Sequence, residues 1–216
     1  MEPYQALFII VAVLVMGSFA GGVIWNIRRG NAVLRWMQSG LPLIGEKTTL
    51  RWLGSSAVEL NIAKAKPPFR RFSLVLVLQP RDVLWLWLWS LVRHRRDMVI
   101  LRGGLTGAPR LEFDVLAPLS WTGRSALDKA KSAQWGMEPI DGWQFAAPKA
   151  SLPVSSRNAL ELMEAARRVN PTIWLLSIRR EYPQMELHIP MPTPGSSDAI
   201  QFFEAVRLLA RQVIGE

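Results

Sequence analysis

An uninterrupted apolar stretch near the N-terminus constrains this chain more than any other feature. Residues 6–25 run for 20 positions without a charged side chain and end at Trp25. A helix rises about 1.5 Å per residue, so this stretch would cross the roughly 30 Å hydrocarbon core of a membrane. It is apolar on all sides, unlike a helix with one buried face, and tryptophan favours membrane interfaces. The sequence therefore predicts a single transmembrane helix over residues 6–25 rather than a buried core helix.

The flanking charges predict the orientation of this helix. Arg28, Arg29 and Arg35 follow the stretch, and Glu2 is the only charged side chain before it. A cleaved signal peptide would need a positive region before a shorter apolar core. The positive-inside rule instead predicts a single-pass cell-membrane protein with residues 1–5 outside and the following domain in the cytoplasm.

Two small residues in the apolar stretch suggest a helix contact. Gly17 and Gly21 are four positions apart, which places them on one helix face where a second helix can approach closely. This predicts possible self-association through the transmembrane helix. A chance pattern is the alternative, because glycine is common in such helices.

The basic residues are concentrated in one part of the chain. Residues 27–135 contain 18 Lys and Arg against 7 Asp and Glu. A basic domain tethered to a membrane is attracted to an anionic inner leaflet by about 1 kcal/mol for each basic residue near the surface. Anionic lipids are therefore the predicted partner, although a basic face that meets only solvent would have the same composition.

A tryptophan-rich segment, Leu84–Val92, provides a second candidate membrane contact. Ser90 is its only polar residue, and a basic cluster follows directly. The segment is too short to span a membrane and too apolar for an exposed helix in water. We expect it to lie half in the core and half against the membrane, with at least one indole outside the core; a wholly buried core helix is the alternative. The predicted membrane contacts are Trp85, Trp87, Trp89, Arg93, Arg95, Arg96, Arg28 and Arg29.

The rest of the pattern predicts an α+β domain over residues 57–216, joined to the helix by a juxtamembrane connector over 26–56. Alternating apolar residues predict strands at 58–63, 72–78, 99–103, 111–116, 143–147, 172–179 and 185–189, and helices at 84–92, 123–134, 157–169 and 198–213. We expect 99–103 and 111–116 to form a hairpin. Residues 109–118 align with 183–192, which predicts two related strand-helix-strand-strand-helix halves of ferredoxin-like form over 72–135 and 143–213, with 58–63 completing the second sheet.

The aligned segments also place four polar side chains on one predicted sheet face. These are Glu112, Asp114, Glu186 and His188, whereas Phe113 and Leu187 should be buried beneath them. A metal-dependent enzyme or regulator that uses this face is the alternative function. The ordinary interpretation is a solvent-accessible polar face.

The chain has no cysteine and no Walker A, nucleophile-elbow or HExxH motif, so no catalytic residue and no cofactor is predicted. Its basic βαββαβ pattern lacks the stacking aromatics of RNA-recognition modules, so nucleic acid is not expected as a partner. We therefore expect a non-catalytic, membrane-anchored accessory or interaction protein. It could be a subunit of a larger membrane complex with an unidentified protein partner.

Overall fold

Six helices and nine strands follow one another in the computed structural model of the chain, counted over the residues it describes, 2–118, 120–195 and 198–215. The helices are α1 (Pro3–Met37), α2 (Leu41–Ile44), α3 (Leu84–Val92), α4 (Trp121–Ser132), α5 (Leu152–Val169) and α6 (Ala199–Ile214). The strands are β1 (Gly45–Trp52), β2 (Ala57–Ala65), β3 (Phe69–Val77), β4 (Met98–Leu105), β5 (Phe113–Leu116), β6 (Gly136–Ile140), β7 (Trp143–Ala147), β8 (Leu175–Ile178) and β9 (Met185–Pro190).

All of these strands belong to one antiparallel sheet in the order β1-β2-β3-β4-β9-β8-β5-β7-β6. The predicted α+β class is confirmed. The predicted hairpin of 99–103 with 111–116 is wrong, because the β8–β9 hairpin lies between β4 and β5. Alternation identified both strands, but it carries no information about which strand lies beside which.

The main core lies between one face of the sheet and helices α5 and α6. Alternate residues of β4 and β9, such as Val99 and Leu187, point into it, and Phe113 joins them from β5. The last turns of α1 contribute Val33 and Met37 to the same core. Helix α4 contacts β5, β7 and β8 but contributes no residue to this core, so it packs against the opposite sheet face.

The predicted ferredoxin-like halves are not found in the described part of the chain. Their helices have different surroundings, since α5 packs into the main core whereas its counterpart α3 does not. Strand β2 lies between β1 and β3 and does not complete a second sheet. A ten-residue sequence similarity was therefore too short to indicate a duplicated topology.

Several element boundaries differ from the prediction. Helix α1 continues without a break to Met37, and strand β1 lies inside the segment predicted as a connector. Helix α5 begins at Leu152, five residues before the predicted start at 157, and Ser155 is buried within it. Ser197, which directly precedes the helix predicted over 198–213, lies outside the described residues; the Asp198 side chain accepts a hydrogen bond from the Ile200 amide at 2.9 Å.

Candidate functional site

Helix α3 has its burial pattern inverted relative to a helix of a soluble core. Ser90, its only polar residue, is 1% exposed, whereas Trp85 is 68% exposed and Val92 72%. The expectation that half of this helix would be core is wrong. Helix α3 lies in the connection between the neighbouring strands β3 and β4, and it contacts α1. An exposed apolar surface of this kind is typical of interaction sites.

The three indoles of α3 have different surroundings. Trp85 and Trp89 are exposed, but Trp87 is only partly exposed, and its Nε1 donates a hydrogen bond to Gln79 Oε1 at 3.3 Å. Ser90 Oγ donates to the Trp87 carbonyl at 2.7 Å on the same inward side. Trp85 and Trp89 are therefore the indoles available for contact with another body.

Helix α1 is fixed to this end of the sheet by a close backbone contact. A Cβ atom at Gly22 would overlap the Arg81 carbonyl oxygen, so only glycine fits there without movement. One helical turn further on, the fully buried Asn26 donates from Nδ2 to the Gln79 carbonyl at 2.9 Å. Asn26 Oδ1 accepts a hydrogen bond from Arg81 Nη1 at 3.0 Å. The helix therefore leaves the domain in a direction set by these contacts.

The carboxylate of Asp97 holds the junction together. It is buried at the start of β4, and Arg29 Nε of α1 lies 2.6 Å from its Oδ2. Arg81 donates hydrogen bonds to both carboxylate oxygens at 3.0 Å, and the backbone N–H of Gln79 donates to Oδ1 at 2.8 Å. Charge-assisted hydrogen bonds of this kind are the stronger ones in proteins. They place the exposed apolar surface of α3 next to the point where α1 leaves the domain.

The predicted membrane-contact arginines divide into two groups. Arg29 forms an ion pair with Asp97, whereas the other arginines of the set pair with no carboxylate among the described residues. Arg93 lies with its guanidinium carbon 4.8 Å from the Trp89 ring centroid, and Arg95 lies 3.8 Å from that of Trp121. Within this predicted set, the arginines without an acidic partner among the described residues are Arg28, Arg93, Arg95 and Arg96.

A cavity of about 710 Å³ lies beside these arginines. The turn after α3, the first residues of α4 and the ends of β3 and β9 form its walls. Sequence reasoning identified the basic cluster here but missed the cavity and the Asp97 contacts, because both depend on residues far apart in the chain. Asn26, which directly follows the apolar stretch, was the one sequence signal for the polar contacts between α1 and the loop after β3.

The four polar residues of the predicted sheet face do not form a common site. Phe113 and Leu187 are buried as predicted, but Asp114 and His188 are buried too, which contradicts their predicted accessibility. Asp114 binds Arg179 at 2.7 Å, and Glu112 accepts a hydrogen bond from the Arg180 amide at 2.9 Å. Helix α4 covers this side of β5, which accounts for the burial of Asp114.

The Glu186 carboxylate also has partners. Arg102 Nε lies 3.1 Å from its Oε2, and His188 Nε2 lies 2.6 Å from its Oε1. Burial by itself would raise the pKa of Glu186, but the hydrogen bond and charge of His188 and the charge of Arg102 outweigh it and lower the pKa. A lowered carboxyl pKa stabilises the fold above the unfolded pKa, and this stabilisation is lost as the pH falls through the folded pKa. Among residues 2–118, 120–195 and 198–215, no group of three His, Asp or Glu side chains is arranged to hold a metal ion.

The glycines predicted to pack against another helix are open. A Cβ at Gly17 or Gly21 would meet nothing within 4 Å. The most apolar part of α1 is likewise uncovered by the rest of the chain, and it is long and apolar enough to cross a membrane. In comparison with known proteins, the chain matches no family model and no curated protein sequence.

Proposed function

We propose that the protein is a single-pass, membrane-anchored accessory or interaction protein without catalytic activity. Its α+β domain would dock on the anionic inner leaflet, and it would act as a subunit of a larger membrane assembly. The observation that carries this proposal is the inverted burial of α3 beside α1: the apolar residues face outward at the point where an apolar helix leaves the domain. Burying such residues in an interface gains about 25 cal/mol for each Å² removed from water.

The distribution of charge supports docking by the same end of the domain. The four predicted membrane-contact arginines without an acidic partner either follow α3 or lie in α1, where they would meet the phosphates of an anionic surface. Tryptophan with neighbouring arginine is typical of helices that lie in a membrane interface. Gly17 and Gly21 supply an open face on which a second membrane helix would pack.

Docking is testable by site-directed spin labelling in the full chain, which has no native cysteine. Val92→Cys on α3 and Val154→Cys on α5 are a matched pair, since both valines are largely exposed, at 72% and 61%. In liposomes rich in phosphatidylglycerol, we expect a label at residue 92 to be accessible to oxygen and shielded from a water-soluble nickel complex. A label at residue 154 should show the opposite. Equal, aqueous accessibility at both positions would exclude docking through α3.

The alternative metal-dependent function gains no support from the geometry. Arg179 neutralises Asp114, and Arg102 neutralises Glu186, which also hydrogen-bonds His188. A carboxylate held in this way is a poor metal ligand, because the cation would have to displace a charged partner.

A further inference from the structure

The cavity next to the turn after α3 has a basic mouth. His94, Arg95 and Arg96 line it, and the Gln79 side chain donates a hydrogen bond to the Arg95 carbonyl, which fixes the turn. The nearest carboxylate in sequence, Asp97, is already occupied by Arg29 and Arg81. The cavity therefore presents positive charge that no described residue neutralises, which favours an anionic ligand.

A polar group deeper in the wall adds to this preference. Thr122 lines the cavity in the first turn of α4, the residue is 8% exposed, and its buried Oγ1 has no hydrogen-bond partner among the described residues. A buried hydroxyl without a partner costs free energy, which a ligand oxygen would recover once a rotation of the Thr122 side chain brought Oγ1 to the cavity surface. The backbone amides of a first helical turn also favour a negative charge.

Most of the remaining wall is apolar, although Gln79, Ser120 and Thr172 also line the cavity. Val77, Met98, Ile173, Trp174 and Pro190 line it, and these side chains match a hydrocarbon chain rather than a second charged group. The volume of about 710 Å³ lies within the usual 300–1,000 Å³ of small-molecule sites. It accommodates a phosphate and part of an acyl chain.

The cavity lies at the same end of the sheet as α3. Pro80, one of its lining residues, is four positions before the first residue of that helix, and Arg95 is three positions after the last. A ligand held in the bilayer would therefore reach the cavity without leaving the membrane surface.

We propose that this cavity binds one anionic phospholipid of the inner leaflet. Its phosphate would lie between Arg95, Arg96 and Thr122, and its acyl chain would extend along the apolar wall. The inference rests on the proposed docking of α3, because lipid reaches the cavity only if this end of the domain lies on the membrane.

Native mass spectrometry of the full chain in a neutral detergent tests the proposal. The chain is titrated with phosphatidylglycerol, with phosphatidylcholine of the same acyl chains, and with inorganic phosphate. We expect a saturable complex of one phosphatidylglycerol per chain, with phosphatidylcholine binding at least about tenfold more weakly. Inorganic phosphate that binds as tightly as phosphatidylglycerol would overturn the proposal, since the apolar wall would then contribute nothing.

Variants separate the cavity from general basicity. Arg95→Gln/Arg96→Gln should weaken phosphatidylglycerol binding about tenfold or more through lost charge-assisted hydrogen bonds. Arg157→Gln/Arg168→Gln removes the same charge from the exposed side of α5, outside the cavity lining, and should leave binding within about twofold. Equal losses in both pairs would overturn the proposal.

Ala117→Phe fills the cavity from a half-buried lining position and should also weaken binding. If this variant keeps its thermal unfolding midpoint and still binds at full strength, the cavity is not the site.

The two proposals can fail separately. A lipid-accessible label at residue 92 with no saturable lipid complex refutes only the cavity proposal, whereas an aqueous label at that position refutes the docking on which it rests.

Discussion

At the scale of single residues, Asp97 has the most consequential position in the chain. It is buried, and its two oxygens accept hydrogen bonds from Arg29 of α1 and from Arg81 and the Gln79 backbone amide of the loop after β3. Removing one partner of a buried ion pair leaves an uncompensated charge and costs more than the pair itself contributes. The junction of α1 with the sheet should therefore depend on this carboxylate far more than on any surface ion pair.

Asp97→Asn should lower the free energy of unfolding by about 2 to 4 kcal/mol, because Arg81 loses its buried counter-charge while the side chain keeps its shape. The measurement is denaturant unfolding of the full chain in detergent, followed by near-ultraviolet circular dichroism of the tryptophans. Glu46→Gln is the matched control, since Glu46 forms an exposed pair with Lys66 at 3.8 Å; its cost should stay below about 1 kcal/mol. Equal costs for the two variants would show that the Asp97 contacts do not hold the junction.

At the scale of elements, local patterns in the sequence predicted where most helices and strands lie, but not which strands pair. The limits of α3 and β7 were predicted to the residue, because charged or turn-forming residues lie at or near both ends of each segment. The surroundings of α3 were not, since a run apolar on all sides fits a buried core as well as a membrane surface. The cavity depends on Met98, Thr122 and Pro190 meeting across the fold, and no local pattern contains that information.

Two adjacent glycines of α1 have different surroundings, because Gly22 contacts the domain and Gly21 lies on the exposed side of the helix. Gly22→Ala should lower the unfolding free energy of the full chain by about 1 to 3 kcal/mol, because its methyl group would press against the Arg81 backbone. Gly21→Ala meets open space and should leave it unchanged or raise it by up to about 1 kcal/mol through helix propensity. Thermal unfolding in detergent compares the two. The same response from both variants would contradict the docking of α1 through its Gly22 face.

At the scale of the whole molecule, independent features coincide at one end of the sheet. The exposed surface of α3, the departure of α1, the four predicted membrane-contact arginines without an acidic partner and the cavity all lie there. The excess of basic residues over 27–135 is not confined to this end, because Arg70 and Arg71 lie at the opposite end of β3. The apolar surface of α3 would therefore orient the domain on a membrane, and the four arginines near it would add attraction to an anionic leaflet.

This orientation, together with the arginines that follow the apolar stretch, predicts the topology of the full chain. Tyr4 and Val154 are both exposed, so Tyr4→Cys and Val154→Cys each place one accessible thiol in a chain that otherwise has none. In intact cells, a membrane-impermeant maleimide should label the thiol at residue 4, because the positive-inside rule leaves the N-terminus outside. The thiol at residue 154 should be labelled only after the membrane is permeabilised. Labelling in the reverse order would contradict the orientation, and loss of residue 4 from the mature protein would show that the apolar stretch is a cleaved signal rather than an anchor.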